Sequence, residues 1–262
     1  MTTIDAVLAR LSEAEQQLDD AEAPLSGWQL DPIYMGNQRL SRGDLDRVST
    51  TRPIEVLHAS GHILNVNTKA LSLSGLLKSG INHPGIALDH EGLPTGELKG
   101  PEVMMWVAGY VGFDRSLTDA DAQGLQDFAK ICVRAGVTTV TDLASRLSDE
   151  TVEMMQIVTS AEDFSARLVP LKLFIGLSPK DLIARVGELA KLSTDRLRLG
   201  KIKIVADGSI QGFPARMRWS GYYNGAPNGL WYITPEQLSE IYHLALEAGV
   251  QVHTHINGDQ AI

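Results

Sequence analysis

Lys201-Ile-Lys203-Ile-Val-Ala-Asp207-Gly208-Ser209 is answered forty-odd residues later by Val252-His253-Thr-His255-Ile-Asn257-Gly258-Asp259. Each stretch reads as a short apolar strand that delivers polar, metal-capable side chains and then breaks into a glycine-containing loop. That is the pattern of a parallel β/α barrel, in which alternate residues of a strand point inward and the C-terminal strand ends form the catalytic face. On this reading Lys201, Lys203 and Val205 share one face, and Ile202, Ile204 and Ala206 share the other. An amine directed into a packed interior is costly unless it is neutralised, paired or chemically altered. The same parity puts His253 and His255 together. One inward histidine reads as a satisfied core residue; two at i, i+2 before Asn-Gly-Asp read equally well as a functional pair.

Outward from these strands, residues 118 to 262 alternate strand and helix. Thr118-Asp-Ala-Asp opens a helix whose buried side is expected to carry Leu125, Phe128, Cys132 and Val133, and Gly136 closes it before the β-branched strand Val137-Thr-Thr-Val-Thr-Asp142. A helix over 149–160 leads to the strand 166–174, and a helix over 179–192 leads to the Lys203 strand. Thr234-Pro235-Glu236-Gln237 is a capped helix start with proline at the first position. Its helix is expected to bury Leu238, Ile241 and Leu246, and Gly249 ends it before the His255 strand. Four strands interleaved with helices predict a parallel sheet. The N-terminal stretch lacks this rhythm: an amphipathic helix over 3–19, a polar, turn-rich segment to about Thr51, a strand from Arg52-Pro53 into Ser60-Gly61-His62, a helix capped by Asn67, and a hairpin or tight loop over Asp89–Leu98.

The 262 residues, 44% hydrophobic, suffice for a sizeable core. A formal charge of −9 with no Lys/Arg stripe argues against a nucleic-acid partner. Cys132 is the single cysteine, which rules out an intrachain disulfide and a thiolate metal cage. The acidic, amphipathic start does not read as a signal peptide, and no apolar run approaches the roughly eighteen residues of a membrane span. A cytoplasmic protein is expected.

With its motifs in order, the sequence resembles the amidohydrolase superfamily of metal-dependent hydrolases, in particular the type 3 branch that includes N-substituted formamide deformylases. The resemblance is carried by Trp28 to Pro32, Leu45-Asp46 with Arg52-Pro53, Ser60-Gly61-His62 with Asn67 and Ala70-Leu71, Gly92 to Gly96, Gly136-Val-Thr-Thr-Val with Asp142, Lys203 to Ser209, and His255 with Gly258-Asp259. It implies that Lys203 is carboxylated by CO2 to a carbamate (N6-carboxylysine) bridging two divalent metals, with zinc the usual expectation, and that His255 is a further ligand. An ion pair of Lys203 with Asp207 or Asp142 is the structural alternative. Asp207, Ser209 and Asp259 would shape the barrel mouth and orient the ligands from behind, or simply turn the chain. His62 resembles the family's pocket histidine, and Phe213, Arg216, Trp219, Tyr222, Tyr223 and Trp231 would line a pocket or pack in a loop. The implied reaction is hydrolysis of a C–N bond other than a peptide bond in a small amide-type substrate.

The sequence departs from that family in lacking its His-x-His on strand one, its strand-six histidine and its strand-eight proton-shuttle aspartate, the last expected beyond Ile262. The expected fold is therefore α/β: an incomplete TIM (β/α)8 barrel holding about strands two to five in residues 118–262, preceded by an α+β insertion segment in residues 1–117. Reading His253-Thr-His255 as the strand-one pair instead is disfavoured, because it follows the Lys203 strand and His253 would lie about 6.6 Å deeper than His255. A chain holding only the middle of such an enzyme is expected to show little activity alone and to pair with another copy through open sheet edges. A non-catalytic binding or assembly module that keeps the barrel without the metal centre is the competing reading. An unrelated phosphate-binding barrel is disfavoured, since no Gly-rich helix N-terminus with a basic partner is present.

Overall fold

The computed structural model describes residues 2–20, 22–36, 38–112, 121–218 and 221–262. The chain folds as two compact units: Met1–Ser116 with Asp207–Tyr232 and Ile256–Ile262, and Leu117–Ala206 with Ile233–His255.

The first unit is built on a five-stranded mixed sheet. In chain order it comprises α1 (Ile4–Glu15), β1 (Leu25–Leu30), a 3-10 turn (Pro32–Met35), α2 (Arg42–Asp46), β2 (Ile54–His58), β3 (Ile63–Val66), α3 (Thr68–Leu73), β4 (Ile86–Leu88), β5 (Pro94–Lys99) and α4 (Pro101–Val111). The strand order is β1-β2-β3-β5-β4, with β1 and β2 parallel and the other neighbours antiparallel. Period-2 alternation divides the core between the two faces. Ile54 and Val56 join Val7, Leu8 and Leu11 of α1, while Leu57, Leu64 and Val66 join Leu71 of α3 and Val103 and Val107 of α4. Each such aliphatic side chain contributes about 1.5–3 kcal/mol on leaving water. β2 is therefore covered on both faces, and its polar residues Glu55 and His58 are buried with it.

Two features of this unit differ from the sequence expectation. Leu25–Leu30 lies in the stretch expected to be turn-rich and is a strand; Leu-Ser-Gly-Trp-Gln-Leu has no apolar alternation, and its backbone is held instead by the parallel ladder to β2. That ladder also makes β1-α2-β2 a β-α-β unit in a region expected to lack one. The Asp89–Leu98 hairpin forms as expected, with Asp89 Oδ1 accepting from the Glu91 and Leu93 amides, both at 2.9 Å.

The second unit is a four-stranded parallel sheet in the order β6 (Thr139–Ser145), β7 (Arg167–Leu173), β8 (Ile202–Val205), β9 (Val252–His255). The helices α5 (Ala122–Arg134), α6 (Asp149–Ser160), α7 (Pro179–Lys191) and α8 (Pro235–Glu247) precede β6 or connect successive strands, as parallel pairing demands. Caps set the helix starts: Asp121, Ser148, Ser178 and Thr234 each accept from a first-turn amide, and Thr234 with Gln237 completes a capping box. The expected opening at Thr118-Asp-Ala lies outside the described residues.

The buried faces of two helices are narrower than the sequence suggested. α5 buries Leu125, Ala129 and Cys132 and leaves Phe128 and Val133 about half exposed, because the i, i+4, i+7 stripe excludes both. α8 buries Ile241 and Ala245, while Leu246 is 80% exposed. Among the described residues no helix is long and apolar enough to cross a membrane.

Candidate functional site

In the second unit, Lys203 leaves the middle of β8 with only 6% of its surface exposed. The parallel ladder sets Lys203 beside His253 and Val205 beside His255, and the Ala206 amide donates to the His255 carbonyl at 3.0 Å. Strand parity therefore puts Lys203, His253 and His255 on one face. His255 lies one strand across and two residues along from Lys203, a backbone separation of about 8 Å at standard sheet spacings. A side chain as long as lysine's covers such a gap. His255 is half-buried and His253 exposed.

Burial pulls the Lys203 amine below its ordinary pKa of 10.5, and no neighbouring carboxylate counters that shift. Asp142, one partner considered for it, instead accepts from the Ala144 amide at 3.1 Å. Lys201, two residues earlier, donates its Nζ to the Gln251 side-chain oxygen.

In the first unit, the loop after β8 folds around Asp207. The fully buried carboxylate accepts three backbone N–H bonds: from Arg216 at 2.9 Å, Asn257 at 2.8 Å and Gly258 at 2.7 Å. Asn257 Nδ2 also donates to the Gly208 carbonyl at 2.9 Å. A buried anion needs such donors, and these bonds tie Arg216 and residues 257–258 to one carboxylate. Asp259 repeats the device at the exposed rim, accepting from the Arg218 amide at 2.8 Å. Ser209 is buried, and its Oγ has no partner among the described residues.

The expected pocket residues separate into groups. His62, at the turn between β2 and β3, lies against Tyr232 with ring centroids 5.8 Å apart. Arg216 donates from Nη1 to the Gly229 carbonyl at 3.0 Å, while its buried Nε has no partner among the described residues. Tyr222 donates to the Ala215 carbonyl at 2.8 Å and packs edge-on against Phe213 at 5.0 Å. Burial pushes the Tyr222 hydroxyl up to about 12. Trp231 is half-buried, Tyr223 is fully exposed, and Trp219 lies outside the described residues.

Tyr232 was not singled out from sequence. Its buried hydroxyl has no partner among the described residues, and burial, with the Asp207 charge second, raises its pKa well above the ordinary value. Also unforeseen is a charged cluster across the five-stranded sheet. Arg39 grips Glu97 through Nε at 2.8 Å and Nη2 at 2.9 Å, and Lys99 reaches the same carboxylate at 3.1 Å. The one sequence signal for it was the i, i+2 spacing of Glu97 and Lys99 on β5.

The family model described as Amidohydro_3, amidohydrolase family, matches residues 1–262. The chain belongs to the amidohydrolase family. It is 27% identical over 274 aligned positions to YtcJ of Bacillus subtilis (strain 168), named as an amidohydrolase, covering 100% of this chain and 49% of that protein. It is 25% identical over 245 positions to the protein LONG AFTER FAR-RED 3 of Arabidopsis thaliana, covering 90% of this chain and 41% of that one. Two solved structures, titled uncharacterized metal-dependent hydrolases from Pyrococcus horikoshii OT3 and Pyrococcus furiosus, match its fold. Their TM-scores are 0.54 and 0.50 at 16% identity, over 99% and 100% of this chain and 49% and 50% of theirs. This amidohydrolase-family chain thus spans about half the length of the curated relatives it matches. Among its described residues, no group of three or more His, Cys, Asp or Glu side chains could hold a metal ion.

Proposed function

We propose that this chain supplies part of the metal centre of a hydrolase that cleaves a C–N bond other than a peptide bond in a small amide-type substrate. The observation that carries the reading is Lys203: a buried residue whose amine is lowered in pKa by desolvation, on the sheet face that also carries His255. Lowering the pKa raises the share of neutral amine, the form that adds to CO2 with loss of one proton to give a carbamate. The modification replaces a buried cation with an anion suited to bind metal. Carbamate oxygen and imidazole nitrogen are donors that suit zinc, so Lys203 and His255 fit as two ligands of a divalent ion, with His253 the alternative imidazole. When bound, such an ion would polarise the substrate carbonyl and lower the pKa of water.

The relatives run to about twice this length, and the four parallel strands correspond in this reading to strands two to five of a (β/α)8 barrel. The remaining ligands and the proton shuttle would then come from outside these 262 residues. The chain alone would hold metal weakly and turn over little substrate. Asp207 and Asp259 organise the loop after the Lys203 strand, which carries Arg216 and Tyr222.

The test is metal and mass analysis of the chain purified in zinc- and bicarbonate-supplemented buffer. Bound zinc that is lost in Lys203→Ala and His255→Ala, with native-state mass about 44 Da above the unmodified chain, is the expected result. Zinc content indifferent to both substitutions would overturn the reading in favour of a binding module that keeps the fold without the metal centre.

A further inference from the structure

The first unit contains an open cleft of about 460 Å3 whose floor is the Arg39–Glu97–Lys99 cluster. We propose that this cleft is a binding site for a small organic monoanion, a carboxylate carried on a flat apolar body. The inference rests on residues of the first unit alone and goes beyond the hydrolase reading, whose metal ligands lie in the second.

The side-chain polar groups left without partners on the cleft wall are all donors. Glu97 is engaged through both oxygens, by Arg39 Nε and Nη2 and by Lys99 Nζ. Arg39 Nη2 also donates to the Gly212 carbonyl at 3.3 Å, which leaves the Nη1 donors without a partner among the described residues. Lys99 uses one donor of its three on Glu97. The side-chain oxygens of Asn228 and Asn224 accept from the Met217 amide at 2.8 Å and the Ala226 amide at 3.1 Å, so both contribute an unspent amide NH2. A ligand meeting guanidinium, ammonium and amide donors must bring acceptor oxygens.

Charge sets the valence. Two cations and one carboxylate leave the floor at +1, in a chain whose formal charge is −9. A monoanion neutralises that charge; a dianionic phosphate would carry excess charge toward Glu97. The rest of the lining supplies the apolar half: Pro84, Pro227, Leu230 and Phe213. Phe213 is held at φ +69°, a region that L side chains rarely adopt, by a turn bond from its amide to the Ile210 carbonyl at 3.0 Å. Its ring lies 5.4 Å from the Arg39 guanidinium carbon. Backbone strain of this kind persists where the surroundings over-determine it, and here it holds an aromatic wall beside the anion donors.

Calorimetric titration of the 262-residue chain tests the site, with benzoate as the probe and benzamide, acetate and inorganic phosphate as comparisons. Benzoate is expected to bind with Kd on the order of 1 mM or tighter, and benzamide about ten-fold more weakly. Lys99→Gln should weaken benzoate about ten-fold while leaving benzamide unchanged. Phe213→Gly, which relieves the positive φ, should weaken benzoate more than acetate, and circular dichroism will show that both variants remain folded. Absence of saturable benzoate binding, equal affinity for benzamide, tighter binding of phosphate, or indifference of folded Lys99→Gln would each overturn the proposal.

Discussion

Glu55 and His58, three residues apart on β2, are buried for the same reason and titrate in opposite senses. Glu55 is raised from 4.5 to about 7, chiefly by burial; its Oε1 accepts from Ser26 at 2.8 Å, while Oε2 has no partner among the described residues. The folded state therefore holds a proton that the unfolded state has released, so this contribution to stability is complete below pH 4.5 and lost as pH rises through about 7. At 1.36 kcal/mol per unit, the loss is about 3 kcal/mol. Glu55→Gln removes this dependence. Between pH 4.5 and 8, urea unfolding should show the stability gap between variant and parent moving by about that amount in the variant's favour. Parallel curves would sink the assignment. His58 acts on the acid side. Its Nε2–H donates to Asn65 Oδ1 at 2.6 Å, its Nδ1 has no partner among the described residues, and burial lowers it to about 4. Its contribution is complete above pH 6.5 and lost as pH falls through about 4.

Among elements, two turn glycines, Gly258 after β9 and Gly136 after α5, are needed for distinct physical reasons. A methyl on Gly258 would fall inside the backbone of Arg216, which the Asp207 hydrogen bonds draw against residues 257–258. Gly258→Ala is expected to cost about 3 kcal/mol or more, because neither backbone segment can yield without breaking those bonds. Gly136, at φ +71° after α5, has open space where a methyl would go. Gly136→Ala should cost only about 1–2 kcal/mol of left-handed backbone strain. Thermal melts of the two variants check the ranking; the reverse order would show that the Asp207 clasp is loose.

Considering the whole molecule, the parallel sheet of the second unit ends in β6 on one side and β9 on the other. Outer strands present unpaired N–H and C=O groups that a second copy can satisfy. Self-association is the expected outcome, and sedimentation across a hundred-fold concentration range checks it. A monomer at every concentration would show that these edges are protected.

How much was legible in the sequence follows from what is local. The β8 and β9 strands, the capped helix between them and the common face of His253 and His255 follow from side-chain periodicity and cap residues within a few positions of each other. The tertiary structure alone decided which partner each polar group found. Asp207 meets amides nine and fifty-odd residues away, Arg39 finds Glu97 across 58 residues, and β1 exists because β2 pairs with it. Hydrogen bonds between distant segments leave no period in the chain. Only folding brings their donors and acceptors within reach.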